Sequence, residues 1–247
     1  KYIENDSLNL KYGTFFYKNH FYKRAMKPLR QFIIKNPHND TILNYLGEIF
    51  VNENRFPEAV DTYSRLIDKN PYYEDYYKKI AESFYSLGNY IFARDYYIEL
   101  LSFNDENKDV LIMLGDISNK LYKFDAAESY LIQALSCSEP TKNLFFEIGI
   151  AYGGQKKYLQ AMHAFQNAQK YSENDPILHY QLGVVYKELS IYDLAIEEFF
   201  KYLEYKNNDN IATFMIGECY QYLERFDEAI KAFKAVSNKE SKNINAL

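Results

Sequence analysis

The sequence predicts an all-α fold, a solenoid of antiparallel helical hairpins, and three observations predict it. Small residues at Gly13, Gly47, Ala81, Gly115, Gly149, Gly183 and Gly217 recur every 34 residues without an insertion, taking six of the nine glycines in the chain. Twelve residues after each stands an alanine (Ala25, Ala59, Ala93, Ala127, Ala161, Ala195, Ala229), and nine residues after each an aromatic (Tyr22, Phe56, Tyr90, Phe124, Tyr158, Tyr192, Phe226). A fixed period of this length marks units that bury their apolar faces only by stacking on their neighbours. No segment with the two-residue alternation of a strand competes with it.

Counting from the small residue, the columns sort into two helices. Position −1 is apolar or aromatic throughout (Tyr12, Leu46, Ile80, Leu114, Ile148, Leu182, Ile216), and position +3 is aromatic except at Ser118. Offsets of −4, −1, 0 and +3 share one face of a first helix, and +12, +16 and +19 share one face of a second. The +16 column is Leu29, Tyr63, Tyr97, Leu131, Phe165, Phe199 and Phe233. Breakers fall between the helices at Asn54, Gly88 and Ser190, and near repeat boundaries at Pro37, Pro71, Pro140 and Pro176. Small residues facing alanines are expected to let the two backbones approach, with the +9 aromatic filling the turn, so that bulk at the small column forces the pair apart. The expected organisation is one array over residues 6–243, in units 6–39, 40–73, 74–107, 108–141, 142–175, 176–209 and 210–243, with 244–247 starting a further or capping helix.

Bulk properties narrow the function. A net charge of −5 gives no basic footprint for neutralising phosphates, which argues against nucleic-acid binding. No apolar run approaches the roughly 18–20 residues that cross a bilayer, so no membrane insertion is expected. Cys137 and Cys219 lie more than two repeats apart, beyond disulfide reach at helix spacings of about 8–10 Å, and read as free thiols. Free thiols lean towards a reducing, cytoplasmic compartment. A start at Lys1 instead of Met leaves an exported chain open.

The residues Leu43 to Phe50 with Ala59 to Tyr63 and Pro71, and equally Phe145 to Tyr152 with Ala161 to Phe165, resemble the tetratricopeptide motif. The likeness covers about residues 6–243, with Asn9, Leu43, Tyr77, Leu111, Phe145, His179 and Thr213 in the usual Trp slot. The resemblance implies a right-handed superhelix whose first helices line a concave groove that binds partner peptides.

On that reading the groove slots are −3, +1 and +4. Repeats two to four offer Asn44, Glu48, Lys78, Glu82 and Asp116, an acidic stripe. Repeats five to seven offer Phe146, Ile150, Tyr180, Val184 and Phe214, an apolar one. A partner segment is expected to lay basic side chains on the first set and apolar ones on the second. The plainer alternatives are core packing for the −3 aromatics and a solvated face for the acids. An acidic +1 slot disfavours the clamp that holds acidic chaperone tails, and the −2 slot carries no asparagine ladder. Gly153 and Gly154 read as an early helix end, a hinge or a close approach of ligand backbone.

Nothing points to catalysis, a metal or a cofactor. His20 falls in a turn, His38 at a repeat junction, His163 on a second helix and His179 in a core slot, while Glu197 and Glu198 are expected on a solvent face. There is no phosphate loop, nucleophile elbow or zinc-protease motif. The sequence therefore predicts a non-enzymatic scaffold for a protein or peptide partner. The alternatives are a self-associating module, a homo-oligomer through a solenoid end where Ile230, Phe233 and Val236 line the last helix, or the sensor portion of a larger protein.

Overall fold

A computed structural model describes residues 2–137, 139–172 and 174–244. These residues hold fourteen α-helices and no strand. In chain order they are α1 (Tyr2–Lys18), α2 (Tyr22–Lys35), α3 (Asp40–Asn52), α4 (Phe56–Ile67), α5 (Glu74–Ser86), α6 (Tyr90–Phe103) and α7 (Lys108–Lys120). There follow α8 (Phe124–Cys137), α9 (Lys142–Gly154), α10 (Tyr158–Gln169), α11 (Pro176–Glu188), α12 (Tyr192–Tyr205), α13 (Asn210–Tyr222) and α14 (Phe226–Ile244). The chain divides into two compact units, Lys1–Leu121 and Tyr122–Leu247. The first stacks the hairpins α1–α2, α3–α4 and α5–α6 and ends on α7, and the second begins with α8 and stacks α9–α10, α11–α12 and α13–α14. The division falls in a turn inside the fourth 34-residue period.

Three residues connect the helices of each hairpin, and the middle one is left-handed every time. His20, Asn54, Tyr122, Lys156, Ser190 and Glu224 have φ between 57° and 61°, and Gly88 has φ 72°. The left-handed conformation costs a non-glycine residue roughly 1–2 kcal/mol. What holds it is the Schellman arrangement: the next residue donates its N–H back to the +3 carbonyl, Phe21 to Phe16, Asn89 to Phe84 and Ile191 to Tyr186, each at 2.9 Å. The residue after that is the +9 aromatic, the first residue of every second helix. Tyr90 lies edge-on to Tyr85, 5.5 Å between centroids, and Tyr192 stacks at 4.9 Å on Tyr222 of the next hairpin. The aromatic column thus closes the turn and also reaches the following repeat.

At position −8 Asn39, Asn107, Thr141, Asp175 and Asp209 cap α3, α7, α9, α11 and α13 through side-chain oxygens. Tyr73 is in the same register and makes no such bond.

The core is the expected set of columns. The seven +12 alanines are 0–3% exposed, and Tyr63, Phe165 and Phe199 at +16 are among the largest fully buried side chains. Bulk at the small column has no room, as expected, and the nearest obstacle to it is the +16 side chain. A Cβ at Gly47 would lie 2.6 Å from the Tyr63 ring, at Gly183 2.7 Å from Phe199 and at Gly217 2.6 Å from Phe233. The pair Gly153 and Gly154 is corrected. α9 ends at position +5, as α3, α5, α7, α11 and α13 do, so it does not stop early. Gly154 is needed because the Phe124 ring presses on it, whereas nothing lies within 4 Å of a Cβ at Gly153. At the far end α14 runs unbroken through Ile244, and the further helix expected at 244–247 otherwise lies outside the described residues.

Two glycines on successive first helices should therefore respond in opposite directions. Gly183→Val drives branched carbons into the Phe199 ring, and a loss of about 2–3 kcal/mol is expected. Gly153→Ala meets open space in a helical position and should gain up to about 1 kcal/mol. Urea unfolding midpoints of the two variants check both signs.

Candidate functional site

The residues at −3, +1 and +4 of the first helices were singled out by sequence, and in the first unit they form a polar network. Tyr17 at +4 of α1 donates its hydroxyl to the Glu48 carboxylate at +1 of α3. Tyr85 at +4 of α5 donates likewise to Asp116 Oδ2 on α7, at 2.6 Å. In the second unit Lys187 at +4 of α11 donates to Glu218 at +1 of α13. One side chain thus latches each first helix to the next wherever the two slots hold a donor and a carboxylate. The sequence reading missed this latch, although its signal, a donor 31 residues before an acid, is visible.

Two of the three acids in the expected stripe are taken up by the chain itself. Asp116 is buried and also accepts from Lys120 Nζ at 2.6 Å. Burial pushes the Tyr85 hydroxyl up to about 12, with the bond to Asp116 adding to it. Burial alone would lower the Lys120 ammonium, but its bond to Asp116 outweighs that and raises it. Glu48 lies half-buried, within 3.4 Å of the Asn44 amide and 3.7 Å of Lys79 Nζ. Lys79 in turn sits 3.8 Å from Asp75 and 5.9 Å from the centre of the Tyr63 ring.

Lys78 and Glu82 are exposed and lie together on the wall of a cleft of about 510 Å³ between α5, α6 and α7. The same cleft brings in Glu74, Asp75 and Asp109, and its floor is Tyr97, Leu100, Val110 and Met113. None of Glu74, Asp75 and Asp109 was singled out from the sequence, because they lie a turn or more before the slots considered.

In the second unit the apolar slots are half in the core. Phe146 leans on Phe165 at 5.8 Å, Tyr180 on Phe199 at 6.0 Å and Phe214 on Phe233 at 5.2 Å between centroids. Ile150 and Val184 are partly buried beside them, and Phe214 keeps 47% of its surface exposed. The −3 aromatics therefore pack on the +16 column and present an edge to solvent.

Glu198, expected on a solvent face, is buried and accepts from or donates to His179 Nδ1 at 2.6 Å, with Lys201 Nζ 3.0 Å away. The correction follows from position: Glu198 lies one residue before the +16 Phe199, against the first helix of its own hairpin. His179 has the core place expected of it. The histidine also borders a polar cleft of about 550 Å³ with Gln166, Lys170 and Lys201. No cluster of three or more metal-binding side chains occurs, and no helix is long and apolar enough to cross a membrane, among the described residues.

A tetratricopeptide repeat model matches residues 13–74 and 146–211, and a second model of that description matches 212–237. The chain belongs to the tetratricopeptide repeat family. Its all-α solenoid fold is shared with a tetratricopeptide repeat protein from Parabacteroides merdae ATCC 43184, at 18% identity and a TM-score of 0.70, over 95% of this chain and 93% of that one. The crystal structure of MamA is similar at 25% identity and a TM-score of 0.61, over 67% of this chain and 97% of that one. YrrB, described as a TPR protein with an unusual peptide-binding site, is similar at 19% identity and a TM-score of 0.63, over 73% of this chain and 93% of that one. No curated protein sequence matches. Members of the family are typically non-catalytic, and membership makes this chain a protein-interaction scaffold in the general sense.

The two thiols differ sharply in environment. Cys137 is exposed, whereas Cys219 is 0% exposed and burial pushes its thiol up to about 11. At pH 8 a group with that value is about 0.1% thiolate, and the thiolate is the reacting species. Ellman's reagent at pH 8 should titrate one thiol in the native chain and both in guanidinium.

Proposed function

We propose that the chain binds a segment of a partner protein along the exposed faces of its first helices, with no chemistry of its own. The observation that carries this reading is the row of aromatics at one slot in the second unit, Phe146, Tyr180 and Phe214. Each rests against the core on one side and is open on the other. Rigid, half-supported aromatic rings make good binding anchors because little side-chain freedom is lost when a partner covers them. Ile150 and Val184 extend the apolar surface, and the bare backbone at Gly153 leaves room beside it. In the first unit Asn44, Glu48, Lys78, Glu82 and Asp116 supply the polar contacts, Glu48 and Asp116 in their latched state and Lys78 with Glu82 directly. Among the similar structures, YrrB is described by its peptide-binding site and Cut9 by its complex with Hcn1, which supports a protein or peptide as partner here too.

The test is affinity capture from the native source with the wild-type chain and with a Phe146→Ala, Tyr180→Ala, Phe214→Ala triple variant, read by mass spectrometry. Hot-spot aromatics each contribute about 2 kcal/mol or more. Partners held by the wild type should be lost from a triple variant that still melts cooperatively. Equal recovery by both overturns the aromatic site.

A further inference from the structure

One period of 34 residues relates two places in the first unit that ought to look alike. At the first, the Lys79 ammonium lies between Glu48 and Asp75, 3.7 and 3.8 Å from their oxygens, and 5.9 Å from the centre of the Tyr63 ring. Adding 34 to each carboxylate and to the ring gives Glu82, Asp109 and Tyr97, and all three are retained. Adding 34 to the lysine gives Met113. The cation position is thus filled by the chain itself in one repeat. In the next it is lined by the same acids and the same ring, with a thioether where the ammonium arises.

At the second place the structure has a cleft of about 510 Å³, walled by Glu74, Glu82 and Asp109 and floored by Tyr97, Leu100 and Met113. Its only lysine is the exposed Lys78, and no ion pair joins Lys78, Glu74, Glu82 or Asp109 to another group among the described residues. Tyr97 is 3% exposed, lines the cleft, and its hydroxyl has no hydrogen-bond partner among the described residues. A tyrosine hydroxyl at the wall of a cleft can accept a hydrogen bond from a group that enters it. Lysine and arginine suit such a place: the charged head meets the carboxylates beside an aromatic ring, and the methylene stem lies along apolar walls.

We infer that the cleft between α5, α6 and α7 is a specificity pocket for a lysine or arginine side chain of the partner segment, which takes the place that Lys79 takes one repeat earlier. The inference rests on the segment-binding reading above and names the residue type that the first unit selects. Leu100, Val110 and Met113 receive the aliphatic stem, and Glu82 and Asp109 flank the charged head.

Random dodecapeptides displayed on phage, selected on the full chain, are the probe. Wild-type selections should be enriched in Lys and Arg at one peptide position. That enrichment should vanish with Met113→Lys, which gives the pocket its own ammonium, and fall at least tenfold with Glu82→Gln, Asp109→Asn, which keeps shape and removes charge. Two routes to the same loss guard against a folding defect, and cooperative melting of both variants checks it. Peptides selected without a basic preference, or a preference that survives Met113→Lys, overturn the pocket. If such peptides are released by the Phe146, Tyr180 and Phe214 triple variant, the segment-binding reading stands alone. Selection of no peptide at all overturns both.

Discussion

At Gly13, Gly47, Gly149, Gly183 and Gly217 the first helix of a hairpin lies under the +16 side chain of the second, at a separation that leaves no room for a Cβ. A ring or leucine flat against bare backbone sets how closely the two helices approach. That approach leaves the +12 alanines 0–3% exposed, above a turn whose left-handed middle residue is not glycine in six of seven cases. It also fixes the outward geometry. The −3 aromatics can lean on the +16 rings only because those rings are pinned from beneath, and the polar edge of Tyr63 or Tyr97 faces the acids of the neighbouring helix for the same reason.

The contact between successive hairpins is more varied. Tyrosine or lysine at +4 meets a carboxylate at +1 in three places and no polar partner at Val51, whose counterpart is Glu82. A carboxylate engaged by its own chain contributes to stacking. One left without such a partner is available to another molecule. The same slot in the same repeat array is therefore engaged in packing or left open according to a neighbour 31 residues earlier.

Most of the fold could be read without coordinates because it depends on local period. The columns at 0, +9, +12 and +16 identify the helices, the turns and the buried faces. The glycine column and its intolerance of bulk were legible, but not its contact with the +16 side chain. Offsets of 12 and 16 lie on one helical face, and sequence spacing does not say which of them crosses nearest to the glycine. Gly154 was opaque for a related reason, since the ring that requires it, Phe124, belongs to the preceding repeat.

The sequence by itself determined a tetratricopeptide array and its register, because a 34-residue repeat writes the same packing again and again in the same letters. Only the tertiary structure decided which outward acids are engaged. Whether Glu48 and Asp116 are latched, whether Glu198 is buried against His179, and whether Tyr97 opens on a cleft all depend on side chains 19 to 31 residues away meeting across helices. Hydrogen bonds and charge pairs act over a few ångströms of space, and spacing along the chain brings such groups near one another without saying which of them touch.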